Sequence, residues 1–265
     1  MEKSIFKNTY LHLSLKVSIA VQVISAVIQF FPMFMNVPPA YMILKQLLIL
    51  ENIVQVVQGS FYAWLVYNIK NETNITSKRY MDWVITTPIM LITLICYMIF
   101  LRKNNKNIEN MQNMQNIQGI QGIEDTKNTQ NQVDIFTILR ENGGVIITIV
   151  LLNAIMLLFG YLGEINVIPI VWGILIGFIP FIIYYYIIYI KFVKKDMNAS
   201  EHQSNINTTI LKLFLYFVFF WSLYGLIGFL PYYIKNTLYN IIDLFSKNFF
   251  GLLLSYLIFV NSIKE

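Results

Sequence analysis

Seven long apolar runs separated by polar stretches dominate the chain, at residues 11 to 33, 40 to 68, 80 to 101, 143 to 163, 166 to 192, 209 to 233 and 237 to 262. Each reaches the about 20 residues that a helix needs to cross about 30 Å of hydrocarbon. The pattern therefore predicts seven membrane-spanning helices, α1 to α7 in that order. Strand-sized alternating segments are absent, and helices satisfy their own backbone groups in lipid. Polar residues recur inside the runs at helical spacing. On α1, Ser18, Gln22, Ser25 and Gln29 fall at i, i+4, i+7 and i+11, and on α2, Glu51, Gln55, Gln58 and Tyr62 repeat that spacing. A short connection makes α1 and α2 antiparallel, which sets Ser18 level with Gln58 and Ser25 level with Glu51, so the stripes are expected to face each other. Aligned polar faces in lipid either join helices or line water. Glu51 favours water or a cation, because the facing stripe carries no basic residue.

The last run holds a lysine. Lys247 lies deep in α7, and Asp243 precedes it by one turn on the same face. A lone ammonium in hydrocarbon is costly and marks a functional site that needs a partner. Snorkelling to the surface suits a residue near a helix end, which Lys247 is not. A second carboxylate, Asp82, lies within α3. Arg79, near the start of α3, reads either as an interfacial anchor or as a cation that screens both aspartates and orders water.

Composition agrees with a bilayer: 57% of the residues are apolar and 12% charged, far from a soluble domain. Basic residues concentrate at one set of helix ends (Arg102, Lys103, Lys106, Lys127, Arg140, Lys191, Lys194, Lys195, Lys212, Lys264) over the other (Lys3, Lys7, Lys70, Lys78, Lys235). Lys and Arg are retained on the cytoplasmic side, so the expected orientation places the N-terminus outside and the C-terminus in the cytoplasm. Four glycosylation sequons, at Asn71, Asn74, Asn198 and Asn207, fall on both sides and do not arbitrate. The lone Cys96 excludes an intramolecular disulfide and a cysteine-based metal site. Residues 1 to 265 read as one domain, with the Asn/Gln-rich stretch from 103 to 134 expected as a disordered cytoplasmic loop. A shorter polar stretch, Asp196 to Asn207, joins α5 and α6.

These residues resemble the microbial (type 1) rhodopsins. Arg79-Tyr80-Met81-Asp82-Trp83 with Thr86-Thr87-Pro88 is similar to the family's α3 signature, Trp221-Ser222-Leu223-Tyr224 to its α6, and Asp243 with Lys247 to its α7. The resemblance implies an all-α bundle of seven transmembrane helices with all-trans retinal bound to Lys247 as a protonated Schiff base, and with Asp82 and Asp243 as counterions. It further implies a chromophore pocket formed by Trp83, Thr87, Met90, Asn153, Gly160, Trp172, Trp221 and Tyr224. Thr87 and Asn153 resemble the interhelical hydrogen bond that couples retinal to helix motion. The implied partners are membrane lipid and cations or protons. Assembly into a homo-oligomer stays open, and nothing points to nucleic acid or to an enzyme.

Departures from the proton-pump pattern carry the functional reading. Where such pumps hold a second carboxylate on α3, this chain has Thr93, so Asp82, Thr86 and Thr93 keep an acceptor and lack the usual donor. The release carboxylates near the start of α7 are replaced by Lys235 and Asn236, and Gly225 stands where a kinking proline is common. Lys247-Asn248 resembles channelrhodopsins and channel-forming viral rhodopsins. Carried over, Ser18, Gln58 and Asn248 form a central constriction, with Glu51 toward the cytoplasm and Gln22, Ser25, Gln55, Tyr62, Arg79, Thr86 and Thr93 along the path. A glutamate is common where Gln58 stands. The favoured reading is a light-gated cation channel, the alternative an outward proton pump with Glu51 as substitute donor, and a sensor acting through a partner is the least favoured.

Overall fold

The computed structural model describes residues 2–69, 74–117, 134–194 and 201–262. Seven helices form: α1 (Glu2–Phe30), α2 (Met42–Asn68), α3 (Ile75–Ile117), α4 (Ile135–Glu164), α5 (Ile170–Ile188), α6 (Glu201–Ile227) and α7 (Tyr232–Val260). All seven contain a stretch long and apolar enough to cross a membrane. Seven crossings put the two ends of the chain on opposite faces of the bundle, called here the amino and carboxy faces.

The boundaries follow local chemistry. Prolines start α5 and α7 as their flanking residues, Pro169 and Pro231, because proline presets the backbone where no hydrogen bond is required of it. Asp134 caps α4, its side chain accepting from the Thr137 backbone N–H at 2.6 Å. Beyond α4 the chain reverses through Asn166, whose φ of 60° is a left-handed conformation that asparagine tolerates.

Several expectations are corrected. The 103–134 stretch does not begin as a loop, since α3 continues to Ile117. Its Gln, Met, Glu and Lys residues have ordinary helix propensity, and neither glycine nor proline intervenes before Gly119. Residues 118–133 lie outside the described residues, as do Lys70, Lys127, Lys195, Lys264, Asn71 and Asn198. α4 begins at Ile135 rather than 143 because the Asp134 cap outweighs the helix-weakening Gly143-Gly144 pair. α6 likewise starts at Glu201, inside the stretch read as a polar linker, and ends at Ile227 before Gly228. α7 consequently begins at Tyr232, which brings Lys235 and Asn236 into its first two turns.

α7 packs against α1, α2 and α6, and α4 lies closely on α5. α5 meets α6 chiefly through a π-helical turn, Tyr189–Val193, at the carboxy face. Toward the amino face those two helices therefore diverge. The gap between them, closed by α3, α4 and α7, is an apolar cavity.

Candidate functional site

α3 and α7 build the polar centre. On α7, Asn236, Asn240, Asp243 and Lys247 share one face at i, i+4, i+7 and i+11, and all four are buried. Lys247 Nζ is paired with Asp82 Oδ2 of α3 and lies 3.8 Å from Asp243 Oδ1. Asp82 Oδ1 is buried without a hydrogen-bond partner. Asp243 is held from three helices: Tyr62 of α2 donates to Oδ2 at 2.7 Å, Tyr224 of α6 donates to Oδ1 at 2.5 Å, and Arg79 Nη1 lies 3.3 Å from Oδ2.

Arg79 is fully buried, which rules out the interfacial-anchor reading. Its remaining donors reach the side-chain oxygens of Asn236 (3.1 Å) and Asn240 and the Asn236 carbonyl (3.4 Å). The rings of Phe61, Tyr62 and Tyr239 surround the guanidinium at 5.6–5.8 Å. A buried charge is tolerated only when paired and hydrogen-bonded, and each nitrogen of this guanidinium has a partner. Its direct carboxylate partner is Asp243, and its charge acts on Asp82 as well.

α3 is locally adapted at this level. Pro88 has no N–H to continue the helical ladder, and the hydroxyls of Thr86 and Thr87 bond back to the carbonyls of Asp82 and Trp83 at 2.9 and 2.8 Å. Asn153 of α4 donates from Nδ2 to Thr87 Oγ1 at 2.8 Å, so that pair meets as the resemblance implied.

From Lys247 an apolar cavity runs between α3, α4, α5 and α6, enclosing about 810 Å³ with its open mouth included. Trp83, Thr87, Gly160, Trp221, Tyr224 and Lys247 line it as expected. Three residues expected there do not, Asn153 among them, which meets the lining only through its hydrogen bond to Thr87. Trp172 is 59% exposed and faces away, because its neighbours Gly173 and Ile174 and the later Gly177 hold the inner face of α5, and adjacent residues on a helix point in directions about 100° apart. Met90 is buried in the main core. Phe178 and Phe181 of α5 supply aromatic lining instead. Gly225 of α6 admits Phe178, since a Cβ there would lie 2.5 Å from its ring.

Glu164 and Lys235 form a pair that sequence reading missed. Glu164 lines the cavity at the end of α4, and Lys235 Nζ donates to both of its oxygens at 2.9 and 2.8 Å. The pair occupies the region in which release carboxylates were sought.

The second polar region lies between α1, α2 and α7. Ser18, Gln22, Ser25, Gln29, Glu51, Gln55, Gln58, Tyr62 and Asn248 are all buried. Their hydrogen bonds run to α7, so both stripes address that helix rather than chiefly each other: Ser18 donates to the Asn240 carbonyl at 2.8 Å, and Gln55 to Asn248 Oδ1 at 2.5 Å. Glu51 lies beside Thr93 of α3. The Thr93 hydroxyl is already committed to the Ile89 carbonyl at 2.9 Å, and both Glu51 oxygens lack a hydrogen-bond partner. Gln22 Nε2, both polar atoms of Gln29, both of Gln58 and Asn248 Nδ2 share that state.

Fold and centre define a class: integral membrane proteins of seven helices with a lysine buried among carboxylates at one end of an apolar cavity. Residues 10–261 match the family described as bacteriorhodopsin-like protein, and the chain belongs to that family, the microbial rhodopsins, which are retinal-binding membrane proteins of the ion-transporting kind and not enzymes. The apolar, aromatic cavity ending at one amine fits such a chromophore. Among solved structures, the chain is similar to the viral rhodopsin OLPVRII (24% identity, 93% of this chain and 96% of that one, TM-score 0.67). It is also similar to xanthorhodopsin, a light-driven ion pump with dual chromophore (17%, 97% and 94%, 0.65). A third likeness is to bromide-bound halorhodopsin from Halobacterium salinarum (13%, 98% and 97%, 0.66). These likenesses show the fold. A sequence comparison with curated proteins finds no match.

Proposed function

We propose that the protein is a light-gated cation channel whose path follows the seam between α1, α2 and α7, with the N-terminus outside the cell. The carrying observation is the file of unpaired, buried polar atoms on Gln22, Gln29, Glu51, Gln58 and Asn248. Buried polar groups left unpaired cost free energy unless water or an ion meets them. The one ionisable side chain in that file is a carboxyl, Glu51, and any charge it carries suits cations.

Lys247 is the attachment residue for all-trans retinal, which when bound supplies light absorption and photoisomerisation. Asp82 and Asp243 flank the Lys247 nitrogen, hold positive charge there and give it two alternative partners. Arg79, Tyr62 and Tyr224 fix Asp243, leaving Asp82 the freer of the two, with one oxygen unpaired. A change at Lys247 is thus felt first at Asp82 on α3, and through Asp243 and Tyr62 on α2, the helix that carries Glu51.

The adjacency of Glu51 to Thr93 supports a second reading, an outward proton pump in which Glu51 replaces the usual α3 donor. Photocurrent against voltage separates the two. A current that reverses near the equilibrium potential of the permeant ion is expected; one that stays outward at every voltage rejects the channel.

A further inference from the structure

Asp82 is reached from a second side. Besides meeting the Lys247 amine, it lines an open cleft between α2 and α3, together with Val57, Phe61 and Trp64 of α2 and Lys78 and Met81 of α3. The α2 residues fall at i, i+4 and i+7 and those of α3 at i, i+3 and i+4, so one stripe of each helix forms a wall. The cleft encloses about 560 Å³ with its open mouth included, and Met81, 67% exposed, places it on the outer flank of the bundle. Lys78 lies in the first turn of α3 and Trp64 near the end of α2, so the cleft extends toward the amino face.

Two polar groups in the cleft have no partner. Asp82 is buried and its Oδ1 accepts no hydrogen bond, while Oδ2 is taken by Lys247. Lys78 makes no hydrogen bond or ion pair among the described residues. Helical side chains lean toward the N-terminus, so the Lys78 ammonium leans toward the amino face and away from Asp82, which lies one turn, about 6 Å, deeper. An unpaired buried carboxylate oxygen costs free energy unless water meets it, and an open cleft can supply that water. The route from Asp82 along α7 is closed by comparison. Arg79 commits every guanidinium nitrogen to Asn236, Asn240 or Asp243, Asn236 donates in turn to Thr76 at 2.9 Å, and Lys235 holds Glu164.

We propose that the α2–α3 cleft is a water-holding side passage through which Asp82 exchanges its proton with the amino-face solution, and that Lys78 sets the charge of the proton carriers it admits. When a proton passes from the Lys247 nitrogen to Asp82, an N–H bond breaks and an O–H bond forms at the carboxyl. The carboxyl turns that O–H into the cleft, where it breaks to water or to a small anionic base, and Asp82 returns to the carboxylate. Lys247, Asp243 and Arg79 are the other charged groups acting on Asp82; of these only Lys247 touches it within the bundle, and none lines the cleft. The passage is separate from the α1–α2–α7 seam and serves a channel or a pump alike. It rests on Asp82 as the acceptor, not on the direction of current.

The first test needs no retinal. Val57→Cys, at the inner end of the cleft, is placed in a Cys96→Ala background and the full-length protein held in lipid nanodiscs. It should react with charged, water-soluble methanethiosulfonates, the anionic reagent about tenfold faster than the cationic one after correction for their rates with a free thiol, the lower end of charge focusing in a low-dielectric cleft. Lys78→Gln should remove that preference and keep the reaction. No reaction with either charged reagent overturns the passage, and reaction with a lipid-soluble maleimide alone makes the cleft a lipid groove; equal rates for both charges overturn the role of Lys78. In the retinal-loaded protein, a pH jump in the dark followed in the visible band reports the protonation of Asp82, whose charge lies against the chromophore nitrogen. Val57→Trp, which fills the cleft, should slow that response severalfold with colour kept. An unchanged rate in a coloured Val57→Trp overturns proton exchange by this route. Labelling that succeeds where no colour forms leaves the passage standing and removes the retinal reading instead.

Discussion

The two polar regions along α7 treat buried polarity in opposite ways. Toward the amino face, Arg79, Asp243, Asn236 and Asn240 satisfy one another, with Tyr62 and Tyr224 completing Asp243. Toward the carboxy face, Glu51, Gln29 and Gln58 are as deeply buried and have no hydrogen-bond partner. A fully paired network makes one arrangement far better than any other. An unpaired file makes no such demand, and its residues are available to water and ions. One stretch of α7 thus faces a closed network next to Lys247, and the next faces unpaired polar groups on α1 and α2.

The comparison can be broken first at the lysine that joins the regions. Lys247→Ala should abolish the visible absorption band on adding retinal, with helix content by circular dichroism retained; a coloured variant would remove the attachment site and everything built on it. Next, Arg79→Gln should strand Asp243 and lower stability by about 3–5 kcal/mol, the cost of breaking a buried pair from one side, as measured by denaturant unfolding in detergent. Glu51→Gln, in the unpaired region, should leave stability nearly unchanged and alter relative cation permeability. A slowed late photocycle step rescued by azide would instead favour the pump.

Smaller effects sharpen the edges. Thr87→Ala removes the acceptor of the Asn153 hydrogen bond, worth about 1 kcal/mol, and should change photocycle decay more than colour; unaltered decay in flash photolysis would separate that bond from the cycle. The smallest lies outside the membrane, at Asp134. Hydrogen bonds from Thr137 hold its carboxyl below the ordinary value of 3.8, so its contribution is present above that value and is lost as pH falls through the lower, folded-state value. The stability difference between wild type and Asp134→Ala should therefore shrink below about pH 4 in thermal unfolding followed by circular dichroism.

Lys247, Asp82 and Asp243 were legible because charged residues inside apolar runs are few and a separation of four places two of them on one helix face. The α1 and α2 stripes were legible by the same arithmetic. Asn236 and Asn240 repeat that spacing with Asp243 and Lys247, and extending the periodicity search along α7 would have found them. Trp172 shows the limit of position by analogy: one residue of phase on α5 decides between cavity and lipid, and an all-apolar helix carries no periodicity to fix that phase. Glu164 and Lys235 are separated by 71 positions, and no local pattern links two helix ends that meet only in the bundle. The path of α3 beyond Arg102 was misread because biased composition was weighed above helix propensity.

That extension has a mechanical consequence. From Asp82 to Ile117, α3 continues for about 50 Å at 1.5 Å per residue, so a tilt of about 5° at the photoactive end carries the far tip through about 4 Å. The helix is a lever with its short arm in the chromophore's surroundings and its long arm beyond the lipid, where a fluorophore or spin label would read the stroke directly.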